Sequence, residues 1–170
     1  MTRSLNAHAL FALVAATTLL GIAGTDLVLP AVPSLPQAFA SSIERAQMVL
    51  AAYALGTLVG LLAFGELGAR HDPRRLLIWS LGLFALASIA AIFAPSMEWL
   101  IALRLAQGAF GAGPAVFAPG FIKGLFAEDR AAAAIGRLGS IEALAPALAP
   151  IAGAWLLSFG GWPVSFIVLG

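Results

Sequence analysis

Five long stretches of this chain are almost free of charge, and each is about the length a helix needs to cross a bilayer. A hydrocarbon core of about 30 Å takes about 20 apolar residues in helical conformation. Leu10 to Thr25 carries no charge, and after Asp26 the apolar run resumes as far as Pro30, Pro33 and Pro36. Ala46 to Gly65 and Leu76 to Met97 are also charge-free, while Trp99 to Ile122 holds only Arg104 and Leu138 to Phe159 only Glu142. Of the 170 residues, 61% are hydrophobic and 10% charged, and the mean hydropathy is +0.99. Soluble domains carry about a quarter charged residues. So few charges could not cover so much apolar surface in water, and the natural solvent for this chain is lipid.

The expected architecture is therefore all-α: a polytopic membrane helix bundle in a single domain, with spans near 9–33, 46–65, 76–95, 98–122 and 133–158. A further apolar run starts at 163 and reaches 170, too few residues to span, so the sixth helix reads as cut short and the chain as incomplete. Breakers separate the spans: Asp72-Pro73, Ala94-Pro95-Ser96 and the Glu128-Asp129-Arg130 cluster. A secretory signal is a poor account of the first span, because signal cores are shorter and four further spans follow.

Basic residues accumulate in loops left on the cytoplasmic side. Arg3, Arg70, Arg74, Arg75, Lys123, Arg130 and Arg137 fall on one side of the expected topology, and only Arg45 on the other. The amino terminus is thus expected in the cytoplasm. The net charge of +1 leaves no footprint for nucleic acid. There are no cysteines, the two histidines lie apart, and no Walker-type loop or nucleophile constellation is visible. Neither an enzyme, a metal site nor a cofactor is expected, which leaves an ion gradient as the energy source.

Three ionisable residues remain inside or at the edge of spans: Asp26, Arg104 and Glu142. Each costs a few kcal/mol at the bilayer centre on insertion scales, so such residues normally face a bundle interior or an aqueous cavity. At a rise of about 1.5 Å per residue, Asp26 lies about 24 Å from the inner face and Arg104 about 10 Å below the outer one. Glu142 falls near mid-membrane. One reading is a polar cavity whose carboxylates exchange protons, since low dielectric disfavours their charged form. The other is a permanent Asp26–Arg104 ion pair locking two helices, with Glu142 at a wet interface. Small residues line span four at Gly108, Gly111 and Ala115, with Gln107 beside Arg104, and span two at Gly56 and Gly60, faces that permit close helix approach. Span five aligns Gly139, Glu142, Pro146, Pro150 and Gly153.

Taken in order, these residues resemble the major facilitator superfamily, and within it the bicyclomycin- and chloramphenicol-resistance type of drug–proton antiporter. Asp26 followed by Leu29-Pro30-Ala31-Val32-Pro33 is similar to that group's acidic-then-"LPALP" signature. Gly65, Arg70, Asp72, Arg74 and Arg75 fall where the superfamily carries its cytoplasmic "GxLADRxGRR" loop. Arg104, Gln107 and Gly108 match "RxxQG", and Pro146, Pro150 and Gly153 match the antiporter motif of span five. Gly161-Trp162 with Phe166 resembles the "GWRxxF" that opens span six. The loop departs from the pattern at Ala69, Asp72 and Pro73, and Ala154 replaces a glycine in span five.

What the resemblance implies is the first six-helix half of a twelve-helix carrier, resident in the inner membrane, with the second half as its missing partner. It would expel small amphipathic compounds in exchange for protons, with Asp26 as proton site, Arg104 tuning it and the span-five prolines in the moving element. Uptake or export of a metabolite by the same fold, or a non-transporting fragment, are the alternatives.

Overall fold

The computed structural model describes residues 7–170 and is helical throughout, so Arg3 and its bearing on orientation lie outside the described residues. Five segments are long and apolar enough to cross a membrane: Ala7–Ala38, Ile43–Arg70, Pro73–Ile92, Met97–Leu125 and Glu128–Gly160. They run longer than the charge-free stretches, because charged residues extend the helix ends instead of sitting in loops.

Helix α1 spans Ala7–Asp26 and stops at its acidic residue. Beyond it Pro30 and Pro33 lack the amide hydrogens an α-helix requires, and the chain tightens into a 3-10 turn over Leu29–Ser34 and a short α2, Leu35–Ala38. This proline-rich cap is not a surface loop. Leu27, Val28, Ala31, Val32 and Leu35 are buried, most of them in the largest apolar cluster, with Val49, Tyr53, Met97, Leu100 and Phe166.

Helix α3, Ile43–Arg70, begins at Ser42, whose hydroxyl accepts from the Arg45 amide, a standard N-cap. Asp72 caps α4, Pro73–Ile92, by accepting from the Arg74 amide at 3.0 Å. Only His71 and Asp72 separate the two helices, so Gly65 and Arg70, expected in a loop, lie on α3. Ser96 caps α5, Met97–Gly111.

Spans four and five are each two helices. Pro114 and Pro146 lack the amide hydrogens that would have bonded Phe110 and Glu142, and the helix breaks one turn before each proline. Helix α5 therefore gives way to α6, Gly113–Leu125, and α7, Glu128–Glu142, to α8, Ala145–Gly160. Glu128, Asp129 and Arg130, expected between spans, form the first turn of α7, where acidic side chains favour the helix dipole. Gly161, at φ 76°, turns the chain into α9, Pro163–Leu169.

The closest packing in the bundle is α3 on α5. A Cβ on Gly56 would meet the Leu105 carbonyl, one on Gly108 the Tyr53 carbonyl, and one on Gly60 the Ala109 carbonyl. Backbone therefore touches backbone along this seam, as small faces allow where lipid supplies no hydrophobic drive between helices. Large apolar side chains such as Leu62, Trp79, Leu86, Phe93, Trp155 and Phe159 point outward, which suits lipid and not water.

Candidate functional site

Arg104 is the largest fully buried side chain, with no exposed surface. Its Nη1 donates to Gln107 Oε1 at 2.7 Å, and its Nε donates to the Val49 carbonyl at 3.4 Å. Gln107 Nε2 in turn donates to Ser88 Oγ at 2.6 Å, and Ser88 donates to the Phe84 carbonyl. The guanidinium thereby ties α3, α4 and α5 together. It lies 4.1 Å from the centroid of the Tyr53 ring and 5.7 Å from that of Phe166. A desolvated cation over an aromatic face gains about 2 kcal/mol. Nη2 has no hydrogen-bond partner among the described residues.

No carboxylate neutralises this cation among the described residues. Asp26, half-buried at the last residue of α1, has no hydrogen-bond or ion-pair partner among them. The permanent Asp26–Arg104 ion pair is thus absent: the guanidinium is bonded to the Val49 carbonyl and the Gln107 amide and lies over the Tyr53 ring instead. Tyr53 reaches the same helix as Asp26, its hydroxyl donating to the Gly21 carbonyl of α1 at 2.5 Å.

Glu142 lies on a different helix from either. It is the half-buried last residue of α7, and the structure joins it to neither Asp26 nor Arg104. No hydrogen bond or ion pair among the described residues joins any two of Asp26, Arg104 and Glu142. Pro146 accounts for Glu142, because it leaves the Glu142 carbonyl without a helical partner at the break between α7 and α8.

A groove of about 390 Å³ opens between α1, α3 and the α5–α6 junction, lined by Thr18, Gly21, Thr25, Tyr53, Thr57 and Gly111, among others. Its walls hold hydroxyls and apolar atoms, and no charged side chain lines it. Arg104 is hidden behind the Tyr53 ring. The groove can accept a small apolar or amphipathic molecule, with Asp26 following directly on its Thr25 wall.

The other motif residues fall at the ends of the bundle or at its kinks. Arg70 is paired with Glu66 through Nε at 2.9 Å and Nη2 at 2.5 Å, and Arg75 approaches Asp72 at 3.8 Å. Glu66 and Asp72 are thus the carboxylates these arginines use, where the sequence has Ala69 at the end of α3. Gly65 has open space where a Cβ would stand. Gly153 presses against the Leu27 carbonyl, which also accepts from Ser165 Oγ at 3.3 Å, so span five and α9 both grip the chain directly after Asp26. Pro150 lies inside α8. Tyr53, Ser88 and Ser165 are site residues that no sequence motif singled out. Tyr53 carried a usable signal: it is the chain's sole tyrosine and lies three and seven residues before Gly56 and Gly60, on the same helix face.

A family model described as Major Facilitator Superfamily matches residues 14–170. A "Bicyclomycin resistance protein homolog" of Haemophilus influenzae is 28% identical over 86% of this chain and 37% of its own length. A "Chloramphenicol resistance protein" of Pseudomonas aeruginosa is 30% identical over 89% of this chain and 36% of its own. The "Multidrug resistance protein Stp" of Mycobacterium tuberculosis is 32% identical over 81% of this chain and 26% of its own. The chain thus spans well under half the length of these curated relatives.

Proposed function

This chain belongs to the Major Facilitator Superfamily, and from that premise we propose that it is part of a proton-coupled carrier that expels small amphipathic or apolar compounds across the inner membrane. The observation that carries the reading is the separation of the two buried-region charges. Arg104 is held by neutral partners, while the Asp26 carboxylate is half-buried and bonded to none of the described residues. A carboxylate held in an ion pair would be a poor proton carrier, because the neighbouring cation holds it ionised.

Coupling follows if proton and substrate compete for one region. The groove runs from Thr18 to Thr25, and Asp26 is the next residue. Occupancy of the groove and protonation of Asp26 then bias the same turn of α1, and the linkage between them is reciprocal. The uncharged walls favour apolar and amphipathic cargo. Relatives named for resistance to bicyclomycin and chloramphenicol support efflux as the direction. Arg70, Arg74, Arg75, Lys123, Arg130 and Arg137 support a cytoplasmic amino terminus, the excess of basic residues marking the inner side.

The direct test is a pH record in everted vesicles carrying the expressed protein. With chloramphenicol as probe under an imposed gradient, the reading expects substrate-dependent proton release from the vesicle lumen. A pH change of the opposite sign identifies symport and uptake, and overturns it.

A further inference from the structure

Tyr53 is held on all sides by groups that belong to the candidate site. Its hydroxyl donates to the Gly21 carbonyl at 2.5 Å, joining α3 to α1 five residues before Asp26. Its ring covers the Arg104 guanidinium on α5. The side chain is only 3% exposed, yet it forms part of the groove wall. Glycines make this seat possible. A Cβ on Gly24 would run into the tyrosine hydroxyl, and one on Gly111 would stand 3.0 Å from it. Gly21 is itself pressed against the Gly111 carbonyl. No larger residue at Gly24 leaves the hydroxyl where it can reach Gly21.

We infer that Tyr53 is a positioning residue for the coupling pair, carrying the placement of α1 at Gly21 to the guanidinium of Arg104. The inference rests on the carrier reading above and deepens it. The ring is rigid, with its hydroxyl fixed to α1 and its face fixed to Arg104, so a shift of the Asp26 turn moves the ring over the cation. A ligand in the groove touches the same ring, which makes Tyr53 the shared wall between cargo, proton site and cation. The charges facing it are Asp26 from α1 and Arg104 from α5. The groove-lining Gly111, Ala112 and Ala115 and the nearby Phe166 of α9 are uncharged.

Two measurements test this. In the first, Tyr53→Phe keeps the ring on Arg104 and deletes the link to Gly21, and Gly24→Ala displaces the hydroxyl without altering the tyrosine. Both are expected to reach the membrane and to shift the pH of half-maximal chloramphenicol efflux by about half a unit to one unit, the net contribution of one hydrogen bond expressed as a titration shift. Gly60→Ala disturbs the same helix seam away from the ring, and is expected to lower stability without moving that pH. An equal shift in all three variants means generic loosening and overturns the inference.

The second measurement needs no transport. Fluorotyrosine incorporated into the purified protein gives a 19F resonance for Tyr53, identified by its loss in Tyr53→Phe. That resonance is expected to move with pH, and to stop moving in Asp26→Asn. A resonance indifferent to pH and to Asp26→Asn overturns the role of Tyr53, even where Asp26→Asn abolishes efflux. Efflux that survives Asp26→Asn overturns the carrier reading instead, whatever the resonance does.

Discussion

At the scale of single residues, the site is governed by how a guanidinium can be buried without an anion. Arg104 is accommodated by the Gln107 amide, the Val49 carbonyl and two aromatic faces. Removing any one leaves a buried charge less satisfied, and in membrane proteins such polar contacts are worth about 0.6 kcal/mol on average and up to about 1.7. Gln107→Leu strips Arg104 of its best partner and leaves Ser88 without a donor, so a loss near the upper figure, about 1.5 kcal/mol, is expected in detergent unfolding. Ser88→Ala leaves the Arg104–Gln107 bond in place and is expected to cost about 0.5 kcal/mol. Equal losses would mean that Arg104 does not depend on Gln107. Arg104 is recognisable in the sequence as a charge where none is cheap, but its partners are not, because a carbonyl at Val49 and a ring at Tyr53 leave no polar signal at the right spacing.

At the scale of elements, glycines and prolines decide how closely helices approach and where they break. Gly56→Ala pushes a methyl into the Leu105 carbonyl and must separate α3 from α5, whereas Gly82 has open space around it. Gly82→Ala is expected to stabilise by up to about 1 kcal/mol, the helix-propensity difference, and Gly56→Ala to destabilise by more than that; thermal unfolding of the two variants side by side checks the contrast. Pro146→Ala restores the amide that Glu142 lacks and is expected to straighten the α7–α8 junction. The same variant is expected to melt at higher temperature and transport more slowly, and undiminished transport would remove the span-five break from the moving element. The prolines are legible as breakers, yet the splitting of span four at Pro114 is not. Composition treats that run as continuous, and only the amide hydrogen missing at Pro114 divides it. Apolar runs understate the helix ends for the converse reason: Arg45, Glu66, Arg70 and Glu128 look like loop charges, but they extend helices past the apolar stretch.

For the whole molecule, the length of the apolar runs and the placement of charge make the helical membrane architecture legible in the amino-acid sequence, since few other arrangements satisfy so many backbone groups in lipid. What pattern cannot supply is the relation between distant charges. Asp26 and Arg104 lie 78 positions apart, and whether they pair depends on what surrounds each in the fold, here Gln107, the Val49 carbonyl and the Tyr53 ring around Arg104. Orientation is testable at this scale because the chain has no cysteine of its own. A cysteine introduced as Ser41→Cys is expected to react with a membrane-impermeant maleimide in intact cells, and one introduced as His71→Cys only after lysis. The reverse pattern would invert the topology and with it the assignment of Arg70, Arg74 and Arg75 to the cytoplasm.

The central claim is that Asp26 exchanges a proton because Arg104 does not hold it ionised. The measurement that reaches it most directly is chloramphenicol accumulation under a proton gradient in cells expressing the native gene or Asp26→Asn, with membrane levels matched. The account expects lower accumulation with the native protein and none of that protection with the Asn variant. Equal protection by both would make Asp26 a structural polar group and contradict the account, even with the fold intact.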